Sequence, residues 1–402
     1  MHLPGAAARL PPLHALWRTL PVEKRRRALA WGAAALAPRP DRHPPPAGPG
    51  LAVAGELGRA TGLGEGGRLV AAGLAALGVP YATLEAGLLD GSRRAALPPA
   101  GMPLLLCVNA PLLPAALLRL PRALLHGRRV IAQWSWELPV VPDTWRAGVP
   151  FVHEVWVPSR FTASAVEPLL PGRVRVVPHP VAVRPPSPEP GGRSLFGLPD
   201  GAVVTTVVFN LSSSFERKNP LGAVAAHRAA FGDRTDRVLV LKMTGTEHYG
   251  SDLGRIRDAV ADLPNVRIHD GTLPAPALHA LLAASDIVLS LHRSEGFGLV
   301  PAEAMLLGVP VVVTGWSGTA DFCDGGSAAV VPFSLVPVSD PRGTYSVPGA
   351  RWAEPDTGAA AAQLRRLADD PAARAALGKA GRTTAQARLG TAPLAAALDA
   401  IR

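Results

Sequence analysis

The fold class this chain predicts is α/β: two doubly wound parallel-sheet halves facing each other across a cleft. Three observations carry the prediction. Short apolar runs alternate with helical stretches from Leu51 to a helix beginning at Phe161, and a second such series starts at Ala202. Between them lies a breaker, residues 178–199, with seven prolines among 22 positions. Strand, helix, strand in repetition means parallel pairing through right-handed crossovers.

Residues 38–50 read PRPDRHPPPAGPG and cannot be helix or central strand, because proline removes donors and fixes φ. The first strand is expected at 51–56. A glycine-rich turn, an apolar helix near 67–77 and a strand near 81–84 follow it. Strands are then expected at 103–109, 129–133 and 153–158. In the second half they fall near 203–209, 237–242, 265–269, 286–290 and 310–313, and the end of the chain is helical and alanine-rich. These limits divide the chain into a proline-rich, basic extension (1–50), a first domain (51–180), a hinge (181–200), a second domain (201–375) and a C-terminal helix (376–402).

Composition narrows the function. The 402 residues are 48% hydrophobic and 18% charged, which suits two large cores and excludes disorder for most of the chain. Aromatics are 5%, too few for stacking platforms along a nucleic-acid strand. Two cysteines, Cys107 and Cys323, cannot build a disulfide framework. The charge of +10 favours anionic partners without choosing among them, and no recognisable nucleic-acid module is present, so no nucleic-acid partner is expected. No apolar run reaches the length of about 18 residues that a membrane-spanning helix needs. Lys24-Arg25-Arg26-Arg27 before an apolar run imitates a secretory signal only loosely and reads as a basic surface helix. With Trp17 and Trp31 nearby, that helix suits a peripheral contact with an anionic membrane face.

No Asp-x-Asp occurs, so the usual carboxylate pair for a divalent metal on a nucleoside diphosphate is missing and no metal is expected. Zinc-protease, nucleophile-elbow and P-loop patterns are also absent. The informative stretch is Ser294-Glu295-Gly296-Phe297-Gly298-Leu299-Val300-Pro301-Ala302-Glu303, between an apolar strand and an apolar helix. Its glycines free backbone N–H groups at a helix N-terminus, a ready phosphate site. Two carboxylates beside a phosphate suit a ligand whose hydroxyls they can accept from, as a sugar's would. Ser214-Phe215-Glu216-Arg217-Lys218-Asn219-Pro220 follows the first strand of the second half, where a nucleotide phosphate lies in such sheets. Arg217 and Lys218 there could neutralise a diphosphate leaving group.

These residues resemble the retaining glycosyltransferases of family 4, which have two Rossmann-like domains in the GT-B arrangement. Glu295 and Glu303 stand at the E-x7-E spacing of that family, and the similarity runs from about residue 51 to 366. The resemblance implies a cytoplasmic enzyme, peripheral at the inner membrane face where it touches one. It would move a sugar from a nucleoside-diphosphate sugar to a glycan, lipid-linked or protein acceptor, without metal or other cofactor. It implies that Glu303 holds the ribose, while Glu295 and the backbone of Gly296, Phe297, Gly298 and Leu299 address the donor sugar. Arg217 and Lys218 would grip the diphosphate, and Asp270-Gly271-Thr272-Leu273 would frame the base. Gly62, Gly64 and Glu65 resemble the family's glycine loop over the donor phosphates. Many relatives carry a histidine where the strand at 129–133 ends; here Gln133-Trp134-Ser135-Trp136-Glu137 stands instead, leaving Glu137 as the sugar-facing polar group and Trp136 as an apolar wall. A competing class remains at this point. Gly62, Gly64 and Gly67 with Glu85 satisfy the dinucleotide fingerprint of an NAD-dependent oxidoreductase.

Overall fold

The computed structural model describes residues 19–59, 61–87 and 96–402. Trp17 lies outside them. Helix α1 (Val22–Leu36) carries the basic run, with Ala30 buried and Leu29, Trp31 and Leu36 exposed. The first sheet then collects β1 (Leu51–Gly55), β2 (Tyr81–Glu85), β3 (Leu104–Cys107), β4 (Val130–Gln133), β5 (Glu154–Val157) and β6 (Val174–Val176) in the order β2-β1-β3-β4-β5-β6. Every pairing is parallel. Strands β1, β3, β4 and β5 are buried along their whole length, which is why they read as near-continuous apolar runs, polar only at Gln133 and Glu154 on their ends, rather than alternating ones.

Between β1 and β2 lies α2 (Gly62–Ala76). The expected glycine turn is therefore the first turn of a helix, and Gly62, Gly64 and Glu65 are helical. Thr61 makes this start, its hydroxyl accepting from Gly64 N at 3.1 Å. Glycine's low helix propensity suggested a loop, but packing overrides it. A Cβ on Gly64 would sit 2.6 Å from the Glu56 carbonyl, and one on Gly67 would sit 2.5 Å from Leu57.

The second sheet comprises β7 (Val203–Asn210), β8 (Arg237–Thr244), β9 (Val266–Asp270), β10 (Ile287–Ser290), β11 (Val311–Thr314) and β12 (Ala329–Val331), ordered β12-β11-β10-β7-β8-β9 and again all parallel. Two short helices follow β7: α3 (Phe215–Lys218) and α4 (Pro220–Phe231). Helix α5 (Leu299–Leu307) follows β10, opened by Gly298 and closed by Gly308, both with positive φ. Proline segment 178–199 contains only short 3₁₀ turns.

Edge strands β6 and β12 depart from the sequence reading, which predicts neither, and two larger features depart from it as well. An antiparallel hairpin, β13 (Phe333–Pro337) with β14 (Arg351–Pro355), projects from the second half and is not a sheet strand of either domain. Its Tyr345, Ala350 and Trp352 join the same apolar cluster as Leu104, Val130, Trp134 and Trp136 of the first half. The expected single helix 376–402 is two: α6 (Pro371–Arg388) and α7 (Ala392–Ile401), broken around Leu389–Gly390 with Pro393 in the first turn of the second. Leu394, Ala397, Leu398 and Ile401 pack on Leu51, Leu105, Ile131 and Trp156, so the last helix returns to the first sheet. Its residues belong to the first core although they are last in sequence.

Candidate active site

The carboxyl ends of the two parallel sheets meet at the loop between β10 and α5. Ser159 Oγ donates to the Gly296 carbonyl at 2.7 Å, and Arg160 pairs with Asp321 at 3.1 Å, tying the halves together. Glycine is required at 298, where φ is +103° and a Cβ would meet Thr319 at 2.4 Å. With no side-chain cap on α5, its first N–H groups stay available.

Glu295 sits on that loop, with 13% of its side chain exposed, facing the basic turn after β7. Arg217 Nη1 donates to Glu295 Oε2 at 3.0 Å, and Lys218 Nζ pairs with Oε1. Arg217, 2% exposed, is fixed further by the carbonyls of Ser294 at 2.7 Å and Ser213 at 2.9 Å. Backbone conformation aims this pair. Ser214 and Asn219, which bracket α3, both have positive φ, as does Ser317, whose hydroxyl accepts from Glu295 N at 2.8 Å. Such residues cost about 1–3 kcal/mol each and gather at working sites. They are the only non-glycine residues with positive φ among the described residues.

Burial alone would raise the Glu295 pKa, but Lys218 and Arg217 bring it down to about 2. Burial lowers Lys218, and Glu295 opposes that shift only in part. Burial also works against charge on Arg217, yet Tyr345, Glu295 and Glu137 hold its pKa above the ordinary value. The result is a largely buried cluster in which two cations face Glu295. A pyrophosphate entering it would meet positive charge already fixed in place.

Glu137, after β4, closes the other side. Burial raises its pKa, with Glu295 adding to the shift. Tyr345 from the hairpin donates its hydroxyl to Glu137 Oε2 at 3.1 Å, and its ring stands under the Arg217 guanidinium at 5.4 Å. Trp136 is a core residue: 7% exposed, 5.3 Å from Trp145 and 5.4 Å from Tyr345. Tyr345 had no signal in the sequence, since nothing local joins it to a glutamate 208 residues earlier.

Glu303 lies on α5 in a different setting from Glu295. Burial raises its pKa to about 8, Glu65 of α2 adds to the shift and Arg184 opposes it. Glu65 itself pairs with Arg184 at 2.7 Å and Arg68 at 2.6 Å. The two acids of the E-x7-E spacing thus lie in separate surroundings: Glu295 pairs with the basic turn, whereas Glu303 feels the charges of Glu65 and Arg184. Asp270-Gly271-Thr272-Leu273 is a turn at the carboxyl end of edge strand β9, where Asp270 accepts from Thr246 and Lys242 donates to the Gly271 carbonyl. Gly62 and Gly64 lie within α2, and Glu85 is exposed at the end of β2. The dinucleotide fingerprint is not formed, because its first glycine must turn the chain directly after the strand. Here residues 56–61 intervene between β1 and α2.

With this geometry in hand, similarity to known proteins is specific. A family model described as "Family 4 Glycosyltransferase in conflict systems" matches residues 177–397. D-inositol 3-phosphate glycosyltransferase of Kineococcus radiotolerans is 31% identical over 229 residues, 54% of this chain and 48% of that protein. The match therefore spans about half the length of that relative. Among solved structures, Anabaena HepE in complex with UDP and glucose superposes with a TM-score of 0.61 at 14% identity, covering 88% of this chain and 100% of HepE. Sucrose-phosphate synthase from Thermosynechococcus elongatus gives 0.63 at 17% identity, covering 88% and 98%. The fold is GT-B. The oxidoreductase alternative falls with these matches, and the chain belongs to the family 4 glycosyltransferases of conflict systems.

Proposed function

We propose that this glycosyltransferase takes its sugar from a nucleoside-diphosphate donor, transfers it with retention of configuration and does so without a metal ion. The observation that carries the reading is the pairing of buried Arg217 and half-buried Lys218 with Glu295, at the uncapped N-terminus of α5. A diphosphate can exchange for Glu295 on those cations, which supplies the charge stabilisation that leaving-group departure needs. HepE, of the same fold, holds UDP and glucose in its complex, which supports the donor class. Retention rests on the family resemblance.

In this reading Glu303 receives the ribose, and its protonated carboxyl can donate as well as accept. Released Glu295 and the backbone of Gly296, Phe297, Gly298 and Leu299 address the sugar. Asp270, Gly271, Thr272 and Leu273 frame the base, while Gly62, Gly64 and Glu65 at the start of α2 stand over the phosphates. Glu137 faces the transferred sugar, and the acceptor is a saccharide or lipid-linked glycan. Closure of the two halves about the hinge excludes water and completes the site. Exposed Leu29, Trp31 and Leu36 on basic α1 support a peripheral membrane contact for a lipid-linked acceptor.

The test is thermal stability in the presence of UDP-, GDP- and ADP-sugars, with and without chelator. One donor should raise the melting temperature equally in both conditions. No shift with any donor would remove the reading, and a shift abolished by chelator would remove its metal-independent part.

A further inference from the structure

Arg293 stands two residues before Glu295, with 18% of its side chain exposed. Its donors are spent on the chain itself. Nε donates to Glu354 Oε2 at 2.7 Å, and Nη1 donates to the Glu216 carbonyl at 2.7 Å. Its backbone N–H donates to the Arg217 carbonyl at 2.8 Å, and its own carbonyl accepts from Ala353 N at 3.0 Å. The guanidinium also lies 5.8 Å from the ring of Trp352, which is buried in the apolar cluster shared with the first half. One residue thus joins three segments: the basic turn, the Glu295 loop and hairpin strand β14.

The basic turn needs such a partner. Helix α3 is a single turn, and the last carbonyls of a helix have no partner within it. The N–H that would serve the Glu216 carbonyl, four positions on, belongs to Pro220, which has none. Arg293 meets that carbonyl from its side chain and the Arg217 carbonyl from its main chain. Arg217 returns the contact, donating to the Ser294 carbonyl at 2.7 Å and to Glu295 at 3.0 Å. The two segments are laced in both directions, so a shift of Arg293 shifts Arg217 and Lys218 against Glu295.

A planar guanidinium suits this work, because its N–H groups point in fixed directions toward a carboxylate and a carbonyl at once. A lysine ammonium carries the charge but lacks that fork. Glu354 and Glu216 set opposite charge beside Arg293, at 2.7 and 3.5 Å, so the guanidinium is already neutralised by the chain. The hairpin holds the same turn from its far end: Arg342 donates to the Leu211 carbonyl and pairs with Asp252, and Tyr345 lies under Arg217.

We propose that Arg293 is a positioning residue for sugar transfer: braced by Glu354 of the hairpin, it fixes the turn that aims Arg217 and Lys218 at the donor's pyrophosphate. The proposal rests on the nucleotide-sugar reading above.

It is tested by calorimetric titration of UDP, GDP and ADP into wild type, Arg293→Met, Arg293→Lys, Glu354→Gln and Arg255→Met. The Arg217→Ala, Lys218→Ala double variant is titrated alike, with and without Arg293→Met. For the nucleotide that wild type binds best, Arg293→Met should weaken affinity about tenfold, the size of a lost charge-assisted contact. Arg293→Lys should lose nearly as much, and Glu354→Gln about threefold. Arg255 pairs with the carboxylate of Glu216 rather than its carbonyl, so Arg255→Met should change affinity less than about twofold. In the double variant, Arg293→Met should weaken binding less than about twofold further, because a residue that acts through the pair then has nothing to aim.

A further tenfold loss in the double variant, or full affinity in Arg293→Lys, would mean that Arg293 acts on the nucleotide by its own charge and would overturn the positioning role. Wild-type affinity in both Arg293→Met and Glu354→Gln would overturn it too, and leave the donor reading intact. Should Arg293→Met not fold, Arg293→Lys takes its place in both backgrounds beside Glu354→Gln. A wild type that binds no nucleotide would instead remove the donor reading, and the role of Arg293 with it.

Discussion

Glu295 on its loop and Glu303 on the following helix stand eight positions apart, and burial pushes the pKa of both upward. Two cations reverse that push at Glu295 and bring it to about 2, while Glu65 reinforces it at Glu303, which rises to about 8. Spacing therefore places two carboxylates on one segment, but the neighbours decide that one is a fixed anion and the other a neutral acid near pH 7. The division suits the proposed chemistry: a permanent charge where a diphosphate must be exchanged, and a carboxyl able to donate where hydroxyls are held.

The strongest way to break this comparison is to remove the cations. Arg217→Ala with Lys218→Ala should lower turnover about a thousandfold or more, read as steady-state sugar transfer, since both charges act on the leaving group. Near-wild-type transfer would contradict the assignment.

Neutralising each acid in turn sharpens it. Glu295→Gln should destabilise the fold by about 3 kcal/mol at pH 7, because it strands two largely buried cations. Glu303→Gln should stabilise by about 3 kcal/mol at the same pH, since the wild-type fold must hold a proton there that the unfolded chain has released. Denaturant unfolding of both variants reads the two signs directly; equal signs would refute the contrast.

The same contrast sets a pH profile. Glu295, with its folded pKa depressed, contributes stability that is present above about pH 4.5 and lost as pH falls toward 2. Glu303, with its folded pKa raised, favours the fold most below about pH 4.5, and that contribution declines as pH rises toward 8. Glu303→Gln should flatten the decline between pH 4.5 and 8 and leave the acid limb unchanged. A smaller effect is expected at the hairpin: Tyr345→Phe removes the donor to Glu137 and should cost about 1–2 kcal/mol of stability.

Most of the second half was legible in the sequence. Its central strands are apolar on both faces and bounded by Gly, Pro or Asp, so β7, β8, β10 and β11 fall within a residue or two of expectation. Glu295, Arg217 and Lys218 announced themselves because their chemistry is local to two short motifs. The remainder depends on contacts distant in sequence. Helix α2 carries Gly64, Gly66 and Gly67 because the Glu56 carbonyl, His179 and Leu57 leave no room for a Cβ, and none of these constraints is visible in the run itself. His179 sits in Pro178-His179-Pro180, which reads as connector. Hairpin 333–355 lacks an apolar stripe, since Ser334 and Leu335 are exposed, and its Tyr345 acquires meaning only against Trp136, Glu137 and Arg217.

The most direct test is calorimetric titration of UDP, GDP and ADP, in EDTA, into the wild type and into the Arg217→Ala, Lys218→Ala double variant. One nucleotide should bind the wild type and bind the double variant about a hundredfold more weakly, as expected when two charge-assisted contacts to a phosphate are lost. Equal affinity for both proteins, or no binding of any nucleotide by the wild type, would contradict the claim that this cation pair is where the donor's pyrophosphate is held.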